Sequence, residues 1–387
     1  MASKFTFSAG TTLPEQKESV SSGLALIARY ESPLLTLLGF PGSLPTTKAT
    51  KHQHIQGELL PNSTTINGDQ SSVETTINVA TDTGERFIVG DMLQVDGSRE
   101  YMVVTAVAAS VVTVTRAQRG TTAVALTDAR TIRRMNNPPE ESETAPASVV
   151  ENRERVTNYT EAFRDTLDVS RAATLVDLHA VRDEIDYQSM NKKKALIRNI
   201  AYTLYRGLVQ SSNPQGAASN PRTMNGIIPI IQAGDDPVNI DCGGEALSQA
   251  WLEQLFEEIY TAGGSATLLA LPPQQRTRLS RLLQGRTRYK VEDSILGAVV
   301  ERYIGDFGEI DVMAPALFIP PDCVLALDMT KIWMYLLGGY PQGGDPFEMI
   351  EIGRTGLGTR FEMVTELTLE LHSAGEGGHG LLYNLAW

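Results

Sequence analysis

Cysteine is scarce in this sequence: Cys242 and Cys323 are the only two in 387 residues. Two are too few for a disulfide framework, so both are expected as free, reduced thiols. Long apolar runs are missing as well. The best candidate, "SATLLALPP", is far too short to cross a bilayer. The first twenty residues lack a continuous apolar stretch, which argues against a secretion signal and for a soluble intracellular product. Basic residues are the minority, 33 Lys and Arg against 46 Asp and Glu, for a net charge of −13. That balance excludes a protein whose main work is gripping nucleic acid, which needs clustered cations to neutralise phosphates. No G-x-S-x-G elbow and no G-x-x-x-x-G-K-[ST] loop occurs, so neither a hydrolase triad nor a P-loop has an anchor.

What is present is ordinary globular material, 42% hydrophobic and 20% charged, enough for two or three domains or one elaborate fold. Residues 1–16 read as a polar, extended arm. "QKESVSSGLALIARY" suits a short helix with Val20, Leu24 and Ile27 on one side. After Pro33, the apolar "PLLTLLGFPG" is either a docking element or a piece of the chain's own core. From about Gln70 to Arg134, Val- and Thr-rich runs separated by Gly, Asp and Ser predict a β-module of five or six strands. Polar linkers, "PNSTTINGDQSS" and "NNPPEESETAPAS", flank it, as expected of an inserted unit.

A long helix is predicted over "RDEIDYQSMNKKKALIRNIAYTLYRGLVQ", with Leu196, Ile200, Leu204 and Leu208 forming one stripe beside Ile197 and Ala201. Acidic Asp183, Glu184 and Asp186 open it, in the sense the helix dipole favours. Lys192 to Lys194, the one basic cluster, read as a solvated helix face. Then helix and strand alternate. "EALSQAWLEQLFEEIYTAGG" is amphipathic, with Leu252, Leu255, Phe256 and Ile259 inward. "TLLAL" is a buried strand, "PPQQRTRLSRLLQG" a helix, and "GEIDVMAP" and "DCVLALDM" are further strands of an α/β layer.

Near the end, "GRTGLGTR" offers Gly353, Gly356 and Gly358 beside two arginines, a composition that could cradle a phosphate. The following "FEMVTELTLEL" decides against it. Phe361, Met363, Leu367, Leu369 and Leu371 alternate with Glu362, Glu366, Glu370 and then His372, the period of a strand with one dry and one wet face. A phosphate loop needs a helix N-terminus there, so the glycines are assigned to a β-turn.

Other chemistry is thin. His52 and His54 share a strand face in "KHQHI", as two metal ligands would, but no cysteine or third histidine lies near in sequence. They are therefore taken as solvent-facing, and His179, His372 and His379 show no metal-ligand spacing. Glu140–Glu141 lie in a linker and Glu257–Glu258 on the polar side of a helix, not in the dry surroundings a catalytic acid needs. The expectation is no catalytic residue, no cofactor and no metal.

Four segments occurring together and in order carry a resemblance: "NYTEAFRDTLDVS" at 158–170, "RTMNGI" at 222–227, "YIGDFGEIDVM" at 303–313, and the turn with its alternating strand "GRTGLGTRFEMVTELTLEL". The chain resembles major capsid proteins of tailed phages with the Hong Kong 97-type fold, well from about 150 to 385 and loosely over the first 60 residues. The resemblance implies an α+β fold with an N-terminal arm at 1–49 and an extended loop at 50–150, within which the β-module at 68–136 is an insertion. It further implies a peripheral domain with a spine helix at 151–214, an axial domain at 215–342, and a terminal hairpin at 343–387 returning to the peripheral domain. The function implied is a non-enzymatic subunit that self-assembles into an icosahedral head shell enclosing the genome, located in the virion and made in the host cytoplasm. Implied partners are copies of itself as hexamers and pentamers. Separate scaffolding, portal and cement proteins are candidates, with packaged double-stranded DNA in weak non-specific contact and no membrane. The alternatives are a related compartment shell or other virion structural protein, a surface- or carbohydrate-binding protein built on the β-module, and a nucleotide-dependent enzyme built on the three glycines.

Overall fold

The computed structural model describes residues 32–42, 44–57, 61–139, 141, 153–172, 183–234, 237–282, 301–313, 317–339, 345–355 and 358–387. The helix expected around Val20, Leu24 and Ile27 lies outside them, as do Glu140 and His179. The chain divides into two compact units. One comprises the chain up to His54 and from Val156 onward, and the other is Ile55–Arg155.

In the first unit, helix α1 (Pro33–Leu37) starts on its proline, which has no N–H to leave orphaned. Leu34, Leu35, Phe40 and Leu44 are all buried in the main core, so this segment is the chain's own packing rather than a docking element. The long helix α2 (Glu184–Arg206) is capped by Asp183, whose carboxylate accepts from Ile185 N at 2.8 Å. Leu196, Ile200, Ala201 and Leu204 form the buried stripe as expected, joined by Tyr205. Leu208 does not join it. The helix stops at Gly207, which turns to φ −54°, ψ 142°, and Leu208 lies beyond, 70% exposed. A short helix, α3 (Ile227–Gln232), packs Ile227, Ile228 and Ile231 into the same core.

Two sheets complete this unit. In the first, β1 (Thr46–Thr47), β16 (Ile332–Leu337), β18 (Gly358–Leu371) and β10 (Glu161–Ser170) lie in that order, and β17 (Glu348–Thr355) also pairs with β18. β10 runs along one edge of β18, while β17 and then β16 share the other. Of "GRTGLGTR", residues 353–355 and 358–360 pair antiparallel as the facing ends of β17 and β18, closed at Thr355↔Gly358 with the register shifted beside Gly353 at φ 140°, while Gly356 lies outside the described residues. The second sheet runs β11 (Val238–Asp241), β19 (Gly380–Tyr383), β15 (Val324–Leu327), β12 (Leu268–Ala270), β14 (Gly308–Val312) and β13 (Glu301–Gly305). Helix α4 (Gln249–Thr261) is capped by Ser248 and buries Leu252, Leu255, Phe256 and Ile259, the four residues its periodicity named. It ends in a Schellman motif: Gly263 N bonds Tyr260 O at 3.0 Å and Gly264 N bonds Ile259 O at 2.8 Å, with Gly263 at φ 84°. Gly380 on β19 lets this helix come close, since a Cβ there would meet Leu255 Cδ1 at 2.6 Å. Helix α5 (Pro273–Leu282) follows β12.

The second unit is a six-stranded antiparallel sheet in the order β3 (Ser63–Thr65), β8 (Thr131–Asn136), β5 (Met92–Val95), β6 (Tyr101–Ala108), β7 (Val111–Gln118), β4 (Thr76–Asn78). Its own core gathers Ile66, Ile77, Val79, Phe87, Leu93, Val95, Met102 and their neighbours. β3 falls inside the stretch read as linker. "STT" pairs with Arg133, Ile132 and Thr131, because Thr is a strong strand former that a short, polar reading frame disguises. A two-stranded ribbon, β2 (Lys51–Gln56) with β9 (Glu154–Tyr159), lies where the chain passes between the units. No helix among the described residues is long and apolar enough to cross a membrane.

Candidate functional site

Three of the sequence motifs meet at one half-buried junction. Asn158 of "NYTE" accepts Asn225 N at 2.9 Å on Oδ1 and donates from Nδ2 to Asn225 O at 3.1 Å and Leu369 O at 2.8 Å. Arg222 of "RTMN" donates Nε to Thr160 O at 2.6 Å and Nη2 to Glu366 Oε2 at 2.8 Å. Glu161 accepts Met224 N at 3.0 Å, and Thr368 Oγ1 donates to Tyr159 O at 3.1 Å. Burial raises the Glu161 carboxyl, with the Met224 N–H pulling the other way. Asn225 in turn accepts Val209 N at 2.7 Å, which fixes the chain leaving α2. Each motif supplies donors or acceptors that the other two lack, so the polar residues between the apolar ones are structural fasteners.

This junction covers what the alternation marked as the wet face of β18. Glu362 and Glu366 stay partly open, but Thr368 and Glu370 are buried. Period 2 identifies two faces; it does not reveal that a second layer lies on the polar one.

Farther along β18, the same layer contains the histidines. His52 and His54 do not face solvent. His52 Nε2 pairs with Glu370 Oε2, and His372 Nε2 pairs with Glu370 Oε1. The His54 ring stacks on that of His372, centroids 4.1 Å apart and planes at 18°. His52 lies 4.3 Å from the Tyr335 ring, and Trp333 meets His372 edge-on at 4.9 Å. Burial alone would raise the Glu370 carboxyl, but its two imidazole partners bring it down to about 2. Three histidines and a carboxylate, more than 300 residues apart in the chain, are thus brought together by β2 and the end of β18. Only the spacing His-x-His was visible in sequence, and Glu370-x-His372 repeats it at the end of β18. His379 stands apart. It is fully buried, accepts Asp328 N on Nδ1 at 3.0 Å and faces His372 O from Nε2 at 3.1 Å, an arrangement that needs the neutral ring protonated on Nε2. Burial holds it down to about 4.

The remaining candidates are scattered. Glu257 is exposed and Glu258 accepts Gln254 Nε2 at 2.9 Å along its own helix. Glu141 is exposed. Lys192 pairs with Asp165 at 2.9 Å and Lys193 with Asp345, so the basic cluster ties α2 to neighbouring segments rather than standing as a bare solvated face. Cys242 and Cys323 are both buried free thiols.

Solved structures with a general likeness include a Gordonia phage Cozz chain, 13% identical, TM-score 0.49, covering 96% of this chain and 92% of that one. The cyanophage A-1(L) capsid chain is 12% identical, TM-score 0.47, with 96% and 98% covered. A Synechococcus elongatus encapsulin is 13% identical, TM-score 0.45, with 61% and 77% covered. No curated protein matches the sequence. A family description, that of the SU10 major capsid protein, matches residues 4–386, nearly the whole chain. The chain therefore belongs to the SU10 major capsid protein family, with the Hong Kong 97-type architecture and the structural role in the phage head shell that this carries.

Proposed function

We propose that the chain acts without catalysis, packing as hexamers and pentamers into a closed head around double-stranded DNA. The family match over residues 4–386 carries this reading, since a major capsid protein is a self-assembling structural component of the virion. In this scheme residues 1–49 serve as the arm and 50–150 as the extended loop bearing the β-sheet unit. Residues 151–214 with 343–371 make the peripheral domain and 215–342 the axial domain; β19 (Gly380–Tyr383), expected with the terminal hairpin at 343–387, pairs instead with β11 and β15 and so belongs with the axial sheet. The pairing of β10 with β18 over ten positions supports joining the two peripheral segments, and the separate core around α4 supports an axial unit.

Three buried or half-buried carboxylates with perturbed titration are engaged in structural contacts, which fits a role without catalysis. Glu100 is held on Arg116, Asp91 on Arg134 and Glu161 on a backbone N–H, all structural contacts. The net charge of −13 fits weak, non-specific contact with packaged DNA rather than tight binding. Scaffolding, portal and cement proteins would come from separate chains, and synthesis would take place in the host cytoplasm.

Electron microscopy of the purified protein under assembly conditions tests the proposal. Capsomers or closed shells are expected, and a stable monomer under all conditions would overturn it. A chain lacking residues 1–30 should fold but assemble poorly; normal shells from it would remove the arm from the scheme.

A further inference from the structure

We propose that His54, Glu370 and His372 form a site for one divalent first-row transition ion of the zinc class, a metal strap between β2 and β18. One donor atom from each residue lies within 4.8 Å of the other two. Ligands on a tetrahedral zinc, with bonds of about 2.0–2.1 Å, lie roughly 3.3 Å apart, so no pair has to close by more than about 1.5 Å, while the hydrogen-bonded Glu370–His372 pair has to open to admit the ion. Side-chain torsions can supply this, because the terminal torsions of His and Glu are soft. The His54 and His372 rings are already stacked, centroids 4.1 Å apart, so a nitrogen of each is within reach of one ion after small ring rotations.

The donor chemistry selects the ion. Two imidazoles and one carboxylate suit zinc, cobalt or nickel and do not suit calcium or magnesium, which take oxygen cages. Glu370 is prepared for the role. Its Oε2 is taken by His52, leaving Oε1 and His372 Nε2 facing one another across the proton that the ion would replace. His52 is thus a positioning residue that orients the carboxylate. Trp333 closes one side, while the His372 side chain remains 30% exposed, an entry path and room for water as the fourth ligand. β2 takes its backbone partner from β9 and not from β18, so an ion here would join two strands that share no hydrogen-bond ladder.

The test uses the full-length chain, stripped with a chelator, dialysed, and titrated calorimetrically with zinc chloride alone and, separately, magnesium chloride. One zinc per chain is expected, with a raised melting temperature in zinc and none in magnesium. His54→Gln and His372→Gln should abolish the stoichiometric site, and His52→Gln should weaken it about ten-fold or more. Cobalt substituted into the unaltered chain gives a readout that needs no variant to fold: strong visible bands of a low-coordinate site support the proposal. Absence of zinc binding, the faint bands of fully hydrated cobalt, or equal zinc binding in folded His54→Gln and His372→Gln would each overturn it, leaving a purely hydrogen-bonded His–Glu–His chain.

Discussion

Asn158 and Asn225 exchange a pair of hydrogen bonds, the Asn158 carboxamide accepting Asn225 N at 2.9 Å and donating to Asn225 O at 3.1 Å. The side chain of one motif thus imitates a strand neighbour for the backbone of another, and its second N–H reaches Leu369 O at 2.8 Å. Asn158→Asp keeps the size but loses both donations and sets a carboxylate against two carbonyl oxygens. It should cost about 2–3 kcal/mol, read as a lower urea midpoint at unchanged slope. Gln53→Ala removes only the exposed bond to Thr157 and should stay within about 0.5 kcal/mol. Equal midpoints for the two variants would dismiss the junction as a stabilising device.

The dry face of β18 makes a second comparison. Leu367 is fully buried, so Leu367→Asp places an unpaired carboxylate in the core and should cost roughly 3 kcal/mol or more. Its neighbour Glu366 is partly open and paired with Arg222 at 2.8 Å, and Glu366→Gln keeps an acceptor there, costing no more than about 1 kcal/mol. Soluble yield and melting temperature of the two variants check the contrast.

Leu367 and Glu370 mark what local sequence pattern makes legible and what it does not. Leu367 announced its burial through period 2, and the α4 stripe through period 3.6, because local geometry alone sets which side chains share a face. Glu370 broke the pattern, since nothing local reveals a second layer built from residues 52 and 158. The same limit hid the histidine cluster: His54 and His372 are neighbours only after β2 and β18 have packed. β3 escapes the pattern for a simpler reason, three residues being too few to display any period. Leu208 departs from the expected stripe because the apolar period continues in the sequence past Gly207, where the helix ends.

Glu100 predicts how the β-sheet unit responds to acid. Its fully buried carboxylate accepts Arg116 Nε and Nη2, both at 2.8 Å, along with Ala117 N and Val124 N. Burial pushes its titration upward, but the Arg116 bonds and the two backbone N–H groups outweigh it and hold it below the ordinary 4.5. The folded state therefore binds fewer protons than the unfolded one in that window. The stabilisation is complete above about pH 4.5 and is lost as pH falls through the depressed value. Glu100→Gln leaves the Arg116 charge buried and should cost about 3–5 kcal/mol at neutral pH, while flattening the acid dependence. Hydrogen exchange of residues 63–136 against pH measures both effects, and an unaltered acid profile in Glu100→Gln would assign the dependence elsewhere.

The thiols should be present but silent. Burial, with nearby Asp241 and Glu245, pushes Cys242 up to about 11, and burial with Asp322 pushes Cys323 up to about 12. At pH 8 the native chain should react with a disulfide reagent far more slowly than a free thiol, since the thiolate is the nucleophile. Denaturation without reductant should release two reactive thiols per chain. Recovering none would mean the pair is oxidised.

The β-sheet unit should be removable. Its six strands surround a core of their own, and its contacts cluster within Ile55–Arg155. A cut at 68–136 would strand β3, whose hydrogen bonds go to β8, so the deletion must take residues 61–139. The β2–β9 ribbon would remain, with its ends joined by a short Gly-Ser turn. Gly57 and Arg153 are already neighbours, a Cβ on Gly57 lying 3.8 Å from Arg153 Cγ, so the closing loop need not stretch. The shortened chain should be soluble and keep the melting temperature of the first unit. A sheet of this size is near the lower limit for independent folding, yet the isolated segment should still give a β-type circular dichroism spectrum. Assembly efficiency of the shortened chain then reports separately on whether the sheet contributes contacts between subunits. An insoluble shortened chain together with an isolated segment that is a random coil would show instead that both units fold as one cooperative body.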